Sequence, residues 1–236
     1  MKKEEREAAV RRLAGQETFT FADLLLITEL LRGEGGCPWD REQTHGTVRR
    51  CMIEEAYEVA EAIDKSDSDL LCEELGDVLF QVVFHSELER EEGRFSAGDV
   101  VNGICRKMIL RHPHVFGNGQ AVDGKSALSQ WEAIKTEEKQ RRTLSSRLRS
   151  IPPILPALLR AQKVHEKIGA EAGKGDDLAA CAAAFGSDPG EETLGILLDR
   201  VAAMAAEQGL DAEGALAKRT EKVILEAEND EIHEKN

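Results

Sequence analysis

Apolar residues along this chain recur every three to four positions, broken by short polar or glycine- and proline-bearing stretches, and no strand-like alternation is sustained. That period predicts helices joined by turns. Thr20 followed by Asp23 has the form of a capping pair and opens a helix from residue 21 to about 31. "GEGGCPWD" ends it, because Gly33, Gly35, Gly36 and Pro38 fit a helix interior poorly. A long helix is expected over roughly 47–64, then a turn at "KSDSD", then a second long helix over about 68–92. Ser96 with Asp99 caps a third, to about residue 110. "RHPHVFGNGQAVDG" reads as a loop with His112 and His114 as turn residues, and 126–142 as a strongly charged helix. Prolines at 152, 153 and 156 mark a boundary. Beyond it helices are expected near 157–168, 178–185, 191–208 and 211–228. The first 17 residues predict a frayed charged helix or no order.

The two long helices carry carboxylates at helical spacing. Glu55 and Glu58 are three apart, Glu54 and Glu58 four, Glu74 and Asp77 three, so each pair shares a face. Ile53, Ala56, Val59, Ala60 and Ile63, with Leu75, Val78, Leu79 and Val82, are expected to pack the helices together. The short turn at 65–69 makes them antiparallel and sets the acidic pairs against each other across the seam. Carboxylates gathered beside a packed face repel, and burying them unpaired is costly. A cation removes the conflict. Hard oxygen ligands with no His or Cys beside them favour Mg²⁺ or Mn²⁺ over zinc or iron. A lone E-x-x-E is ordinarily a solvated face; two on adjacent helices amid apolar sequence favour metal binding.

Composition narrows this further. Aromatics are 4% and charged residues 32% of 236 residues, a mixture that suits an all-helical protein. The formal net charge of −14 argues against nucleic-acid or anionic-membrane partners and suits a gatherer of divalent cations. Five scattered cysteines without a C-x-x-C pair imply a reduced, cytoplasmic chain, with Cys51 and Cys72 as packing residues. The charged start is unlike a signal peptide, and no apolar run approaches the ~18 residues of a membrane span.

A faint repeat runs through the chain. "EELGDVLFQVV" lines up with "EETLGILLDRVA", setting Leu75 against Leu194, Gly76 against Gly195, Leu79 against Leu198 and Val82 against Val201. "GRFSAGDVVNGICRK" answers "GLDAEGALAKRTEK", bringing Lys107 opposite Lys222. The acids are not repeated: Glu74 faces Thr193, Asp77 faces Ile196, and Arg111 faces Glu226.

"EEAYE" followed by "EELGD" resembles the E-x-x-E…E-x-x-D signature of the MazG family, the all-α nucleoside triphosphate pyrophosphohydrolases. "GCPWDREQTH" (36–45), "EEGRF" (91–95), "RHPHVFG" (111–117), "WEAIKTEEK" (131–139) and "LPALLRAQK" (155–163) are similar to MazG in the same order. The resemblance implies Mg²⁺-dependent cleavage of NTPs between the α- and β-phosphates, giving NMP and pyrophosphate. It implies Glu55, Glu58, Glu74 and Asp77 as metal ligands and Glu54 as an accessory acid. A polyanionic substrate needs cations, and Lys107 with Arg111, four apart on one helical face, are candidates for the triphosphate. Trp131 with Lys135 offers an indole for a base and an ammonium for a phosphate. Trp39 reads as a packed loop anchor.

The expected organisation is a charged tail (1–19), a catalytic MazG-like domain (20–145) and a degenerate MazG-like helical domain (146–236). Both halves can carry the acidic motif in MazG proteins of this length, so this chain departs from the pattern in its second half. The family builds its bundle by pairing subunits, which implies a homodimer. One rival is a di-iron bundle, for which only Glu42 with His45 has the needed Glu-x-x-His spacing. The other is a catalytically eroded helical dimer serving as an interaction module.

Overall fold

The computed structural model describes residues 2–138, 143–169 and 177–234. The expected helix end at 139–142 and Lys139 of the 131–139 motif lie outside the described residues. Those residues form thirteen helices and, among them, no strand. The chain divides into two compact units, Met1–Ala121 and Val122–Asn236.

In the first unit, helix α1 (Lys3–Ala14) packs on α2 (Phe21–Arg32). It is more than a frayed tail: Leu13 is buried, Arg6 donates to the Gly35 carbonyl at 2.7 Å, and Arg12 meets Asp23 at 2.7 Å. The Thr20–Asp23 capping box closes reciprocally, as its spacing predicts. A short helix, α3 (Pro38–Glu42), with Pro38 in its first turn, stands inside the glycine-rich break. The long pair α4 (His45–Lys65) and α5 (Ser68–Glu91) follows. Thr44 caps α4 two residues earlier than expected, its hydroxyl accepting from the Thr47 amide. The pair turns through Ser66, whose φ of 55° is left-handed, and Asp67 caps α5. Contacts of His45 with His85 and of Glu55 with Glu74 show that the two helices run antiparallel. Helix α6 (Ala97–Arg111), capped by Ser96 and Asp99, packs on α5, and one turn, α7 (Pro113–Phe116), interrupts the expected loop.

The expected α4–α5 seam is corrected by the structure. Ile53, Ile63, Leu75 and Leu79 are 40–57% exposed, and Ala56 and Ala60 are exposed too. The seam runs instead through His45, Val48 and Glu55 against Glu74, Phe84, His85 and Leu88. At 3.6 residues per turn Ile53 is about 200° around the helix from Glu55, so a two-residue error of phase exchanges inside for outside. The buried cluster is small: Val48, Phe84 and Leu88, with Phe80 against them.

Arg32 organises the loop between α2 and α4. It pairs with Glu91 through Nε and Nη2 at 2.8 and 2.7 Å, donates through Nη1 to the carbonyls of Asp40 and Gln43, and stacks on Phe84. Gly36 is required there, because a Cβ would lie 2.2 Å from the Leu31 carbonyl oxygen. The loop's anchor is therefore buried Asp40 and not Trp39, which is 62% exposed.

The second unit opens with α8 (Gly124–Glu138) and α9 (Leu144–Arg149), a helix the sequence did not predict. Helices α10 (Ala157–Ile168) and α11 (Leu178–Ser187) both pack on α12 (Glu191–Gln208), with α13 (Ala212–Glu234) beyond. The first unit has the same plan, α2 and α4 packing on α5 with α6 beyond. Each central helix is followed by a left-handed glycine, Gly93 at φ 68° and Gly209 at 65°. Ile151, Cys181, Ala202, Ala203 and Ala205 form the buried positions, and Gln162 ties the Leu210 carbonyl and the Ala212 amide.

Candidate functional site

Helix α4 presents Glu55 and Glu58 and α5 presents Glu74, and one carboxylate oxygen of each lies within 4.8 Å of the others. Glu55 and Glu74 are half-buried and Glu58 is exposed. Desolvation raises Glu55 above the usual carboxylate range, reinforced by its hydrogen bond with Glu58 and the charges of Asp77, Glu58 and Glu74. Desolvation also raises Glu74, followed by the charges of Glu58, Glu73 and Asp77. Asp77 stands outside the three-oxygen set but beside it, its charge acting on both glutamates. Glu54 turns elsewhere and pairs with Arg50 at 2.6 Å.

The donor chemistry fits a small hard cation. Three carboxylate oxygens converge, and oxygens around an octahedral ion with bonds of about 2.1 Å are roughly 3–4 Å apart. Desolvation and then mutual repulsion raise Glu55 and Glu74, and a cation would offset both.

The other expected residues are divided between the two units. Lys107, half-buried, and Arg111, 5% exposed, lie on α6, which packs on the helix bearing Glu74 and Asp77. Trp131 and Lys135 belong to the second unit, where Lys135 Nζ sits 4.3 Å from the indole ring centroid and 3.1 Å from Glu132. Residues to which sequence reasoning gave no role are Arg32 at the end of α2, Asp40 in the loop, and His85 and Glu89 on the seam, while His45 was weighed only beside Glu42 as a di-iron pair. The four-residue spacing of Asp77, Gln81, His85 and Glu89 along α5 was the available signal.

Fold and site together define an all-helical protein whose central hairpin holds a carboxylate cluster suited to a hard divalent cation. Residues 43–116 match the MazG nucleotide pyrophosphohydrolase domain. The chain is 39% identical over 215 residues to the nucleoside triphosphate pyrophosphohydrolase/pyrophosphatase MazG of Thermotoga maritima, covering 86% of this chain and 82% of that protein. It is 48% identical over 145 residues to the nucleoside triphosphate pyrophosphohydrolase of Escherichia coli K12, covering 61% of this chain and 55% of that protein. It is also 48% identical over 146 residues to YabN of Bacillus subtilis, an uncharacterized protein of which the match spans 30%. The chain belongs to the MazG family of nucleotide pyrophosphohydrolases.

Proposed function

We propose that this chain hydrolyses nucleoside triphosphates to nucleoside monophosphate and pyrophosphate, using Mg²⁺, or Mn²⁺ in its place, held by Glu55, Glu58, Glu74 and Asp77. The observation that carries the reading is the meeting of Glu55, Glu58 and Glu74 across two helices, with the first and last held above the usual carboxylate range. The activities named for the Thermotoga and Escherichia relatives support the reaction. The metal would supply charge to bind phosphate oxygens, acidify a bound water and offset charge on the departing pyrophosphate. Lys107 and Arg111 take the triphosphate in this reading, with Glu54 as an accessory acid.

Catalysis is assigned to the N-terminal half (20–145). The C-terminal half (146–236) is a degenerate copy, since Thr193 and Ile196 stand where Glu74 and Asp77 stand in the first. The exposed Ile53, Ile63, Leu75 and Leu79 offer an apolar face for a second copy of the chain, so the working form is a homodimer. Neither nucleic acid nor membrane is a partner, and the setting is cytoplasmic. Among the described residues no helix is long and apolar enough to cross a membrane.

The test is pyrophosphate release from a panel of common and deoxy NTPs, with Mg²⁺ and then with EDTA. Metal-dependent release with matching NMP is expected, and Glu55→Gln should reduce it on the order of 10²-fold or more. Undiminished turnover by Glu55→Gln would move the site elsewhere. No turnover of any nucleotide by the wild-type chain would leave the interaction-module reading.

A further inference from the structure

The α4–α5 seam holds a second polar cluster, remote from the carboxylates. His45, the first residue of α4, and His85 on α5 lie with ring planes within 3° of parallel and their Nδ1 atoms 2.7 Å apart. His45 Nε2 is 2.6 Å from Glu89 Oε1, and Arg94 holds Glu89 through Nε and Nη2. Glu89 thus fixes an N–H on His45 Nε2. Two Nδ1 atoms at that separation share one proton, one ring donating and the other accepting. The pair can carry no extra proton or one. With a second, N–H faces N–H and the bond is lost.

Among the described residues, the groups bonded to the pair are Glu89 and, through it, Arg94. Glu89 comes from α5 and Arg94 from the turn after it, Arg94 also reaching Glu92 at 3.6 Å. The charges of α2 are engaged otherwise, Arg32 with Glu91 and Glu29 with Arg90. Burial and the neighbouring His45 hold the His85 imidazole below its usual range. Between this cluster and the carboxylates lies Gln81, four residues from both Asp77 and His85 on α5. It is buried, with no hydrogen-bond partner for Oε1 among the described residues. The face of α5 from Asp77 to Glu89 therefore carries polar side chains at every fourth position, beside the apolar Phe84 and Leu88.

We propose that His45 and His85 are positioning residues: the Glu89–His45–His85 chain is a proton-dependent tie that fixes α4 against α5 and so holds Glu55 and Glu58 opposite Glu74. Its effect on turnover rests on the hydrolase reading; the tie itself does not. Loosening the open end of the hairpin lets α4 shift by fractions of an ångström, and a three-oxygen site tolerates that poorly.

The experiment uses the full chain. Imidazole signals are followed by NMR, and amide hydrogen exchange of the first turns of α4 is compared at about pH 8 and about pH 5.5, corrected for intrinsic exchange. The His85 imidazole should titrate below its usual range, and residues 48–51 should open about tenfold more at the lower pH. His85→Gln, polar but unable to titrate in this range, should remove that pH dependence. The rise in the Mg²⁺ concentration needed for half-maximal activity on acidification should be about threefold smaller in His85→Gln than in wild type, beyond the effect of carboxylate protonation common to both. A His85 imidazole that titrates unshifted in the wild-type chain overturns the tie without any variant, and so does pH-independent protection of α4. A chain without turnover would still show or lack the tie by titration and exchange, which separates its failure from that of the proposed activity.

Discussion

Glu58 is exposed, yet it shares one small volume with Glu55 and Glu74, so its charge acts oppositely with and without a cation. A carboxyl raised in the folded state binds its proton more tightly there than in the unfolded chain. Its contribution to stability is therefore present below the unfolded value and is lost as pH rises through the folded one. Glu55 and Glu74 both follow that rule, each raised partly by Glu58. The metal-free chain should then melt higher as Glu58→Gln than as wild type at pH 7.5 in EDTA. Millimolar Mg²⁺ should reverse the order, because only the wild type retains all three oxygens for the ion. Thermal melts of both proteins with and without Mg²⁺ decide it; an unchanged order would mean that the three carboxylates do not act together.

Among the elements, the loop between α2 and α4 and the end of α5 concentrate the directional bonds. Arg32 is 5% exposed at its side chain and joins Glu91, Asp40, Gln43 and Phe84. Arg32→Met, which keeps the bulk but strands Glu91 and two carbonyls, should cost about 3 kcal/mol in denaturant unfolding. Less than about 1 kcal/mol would mean that the loop is held by its glycines and α3 alone. Glu89 is lowered to about 2, first by its hydrogen bonds with Arg94 and then by His45. A depressed carboxylate contributes stability above its ordinary value, and that contribution is lost as pH falls toward the folded one. Between about pH 4.5 and 2 the wild-type chain should lose stability more steeply than Glu89→Gln, measured as the denaturation midpoint at each pH. Parallel curves would show that Glu89 is equally ionised in the folded and unfolded chains.

For the whole molecule, two units repeat one plan and only the first retains the acids. The repeat of Leu75, Leu79 and Val82 by Leu194, Leu198 and Val201 preserves the apolar stripe while Thr193 and Ile196 replace the carboxylates. That stripe is largely exposed in both units, at Leu75 and Leu79 and again at Leu194, Leu198 and Val201. Leu75→Lys with Leu79→Lys should convert a dimer to a monomer on a sizing column at micromolar concentration with little change in helix content. A wild-type chain that already elutes as a monomer would remove the homodimer from the proposal.

Sequence alone determined the helices whose period is long enough to read, their caps at Thr20–Asp23 and Ser96–Asp99, and the convergence of Glu55, Glu58 and Glu74. The reason is local: caps and i, i+3 spacing act within one turn, and a short turn leaves a hairpin one way to fold back. Helices α3, α7 and α9 were not legible, because elements of four to six residues carry too little of a 3.6-residue period to be distinguished from loop. Tertiary structure decided which face of each long helix turns inward. The leucines and isoleucines expected in the seam lie outside it, while two histidines forty residues apart lie within. Their meeting is set by the rotation of α4 against α5, fixed by the small Val48–Phe84–Leu88 core and the bonds of His45 and Arg32 to α5. Spacing marks a polar stripe along α5, but not which residue of α4 meets it.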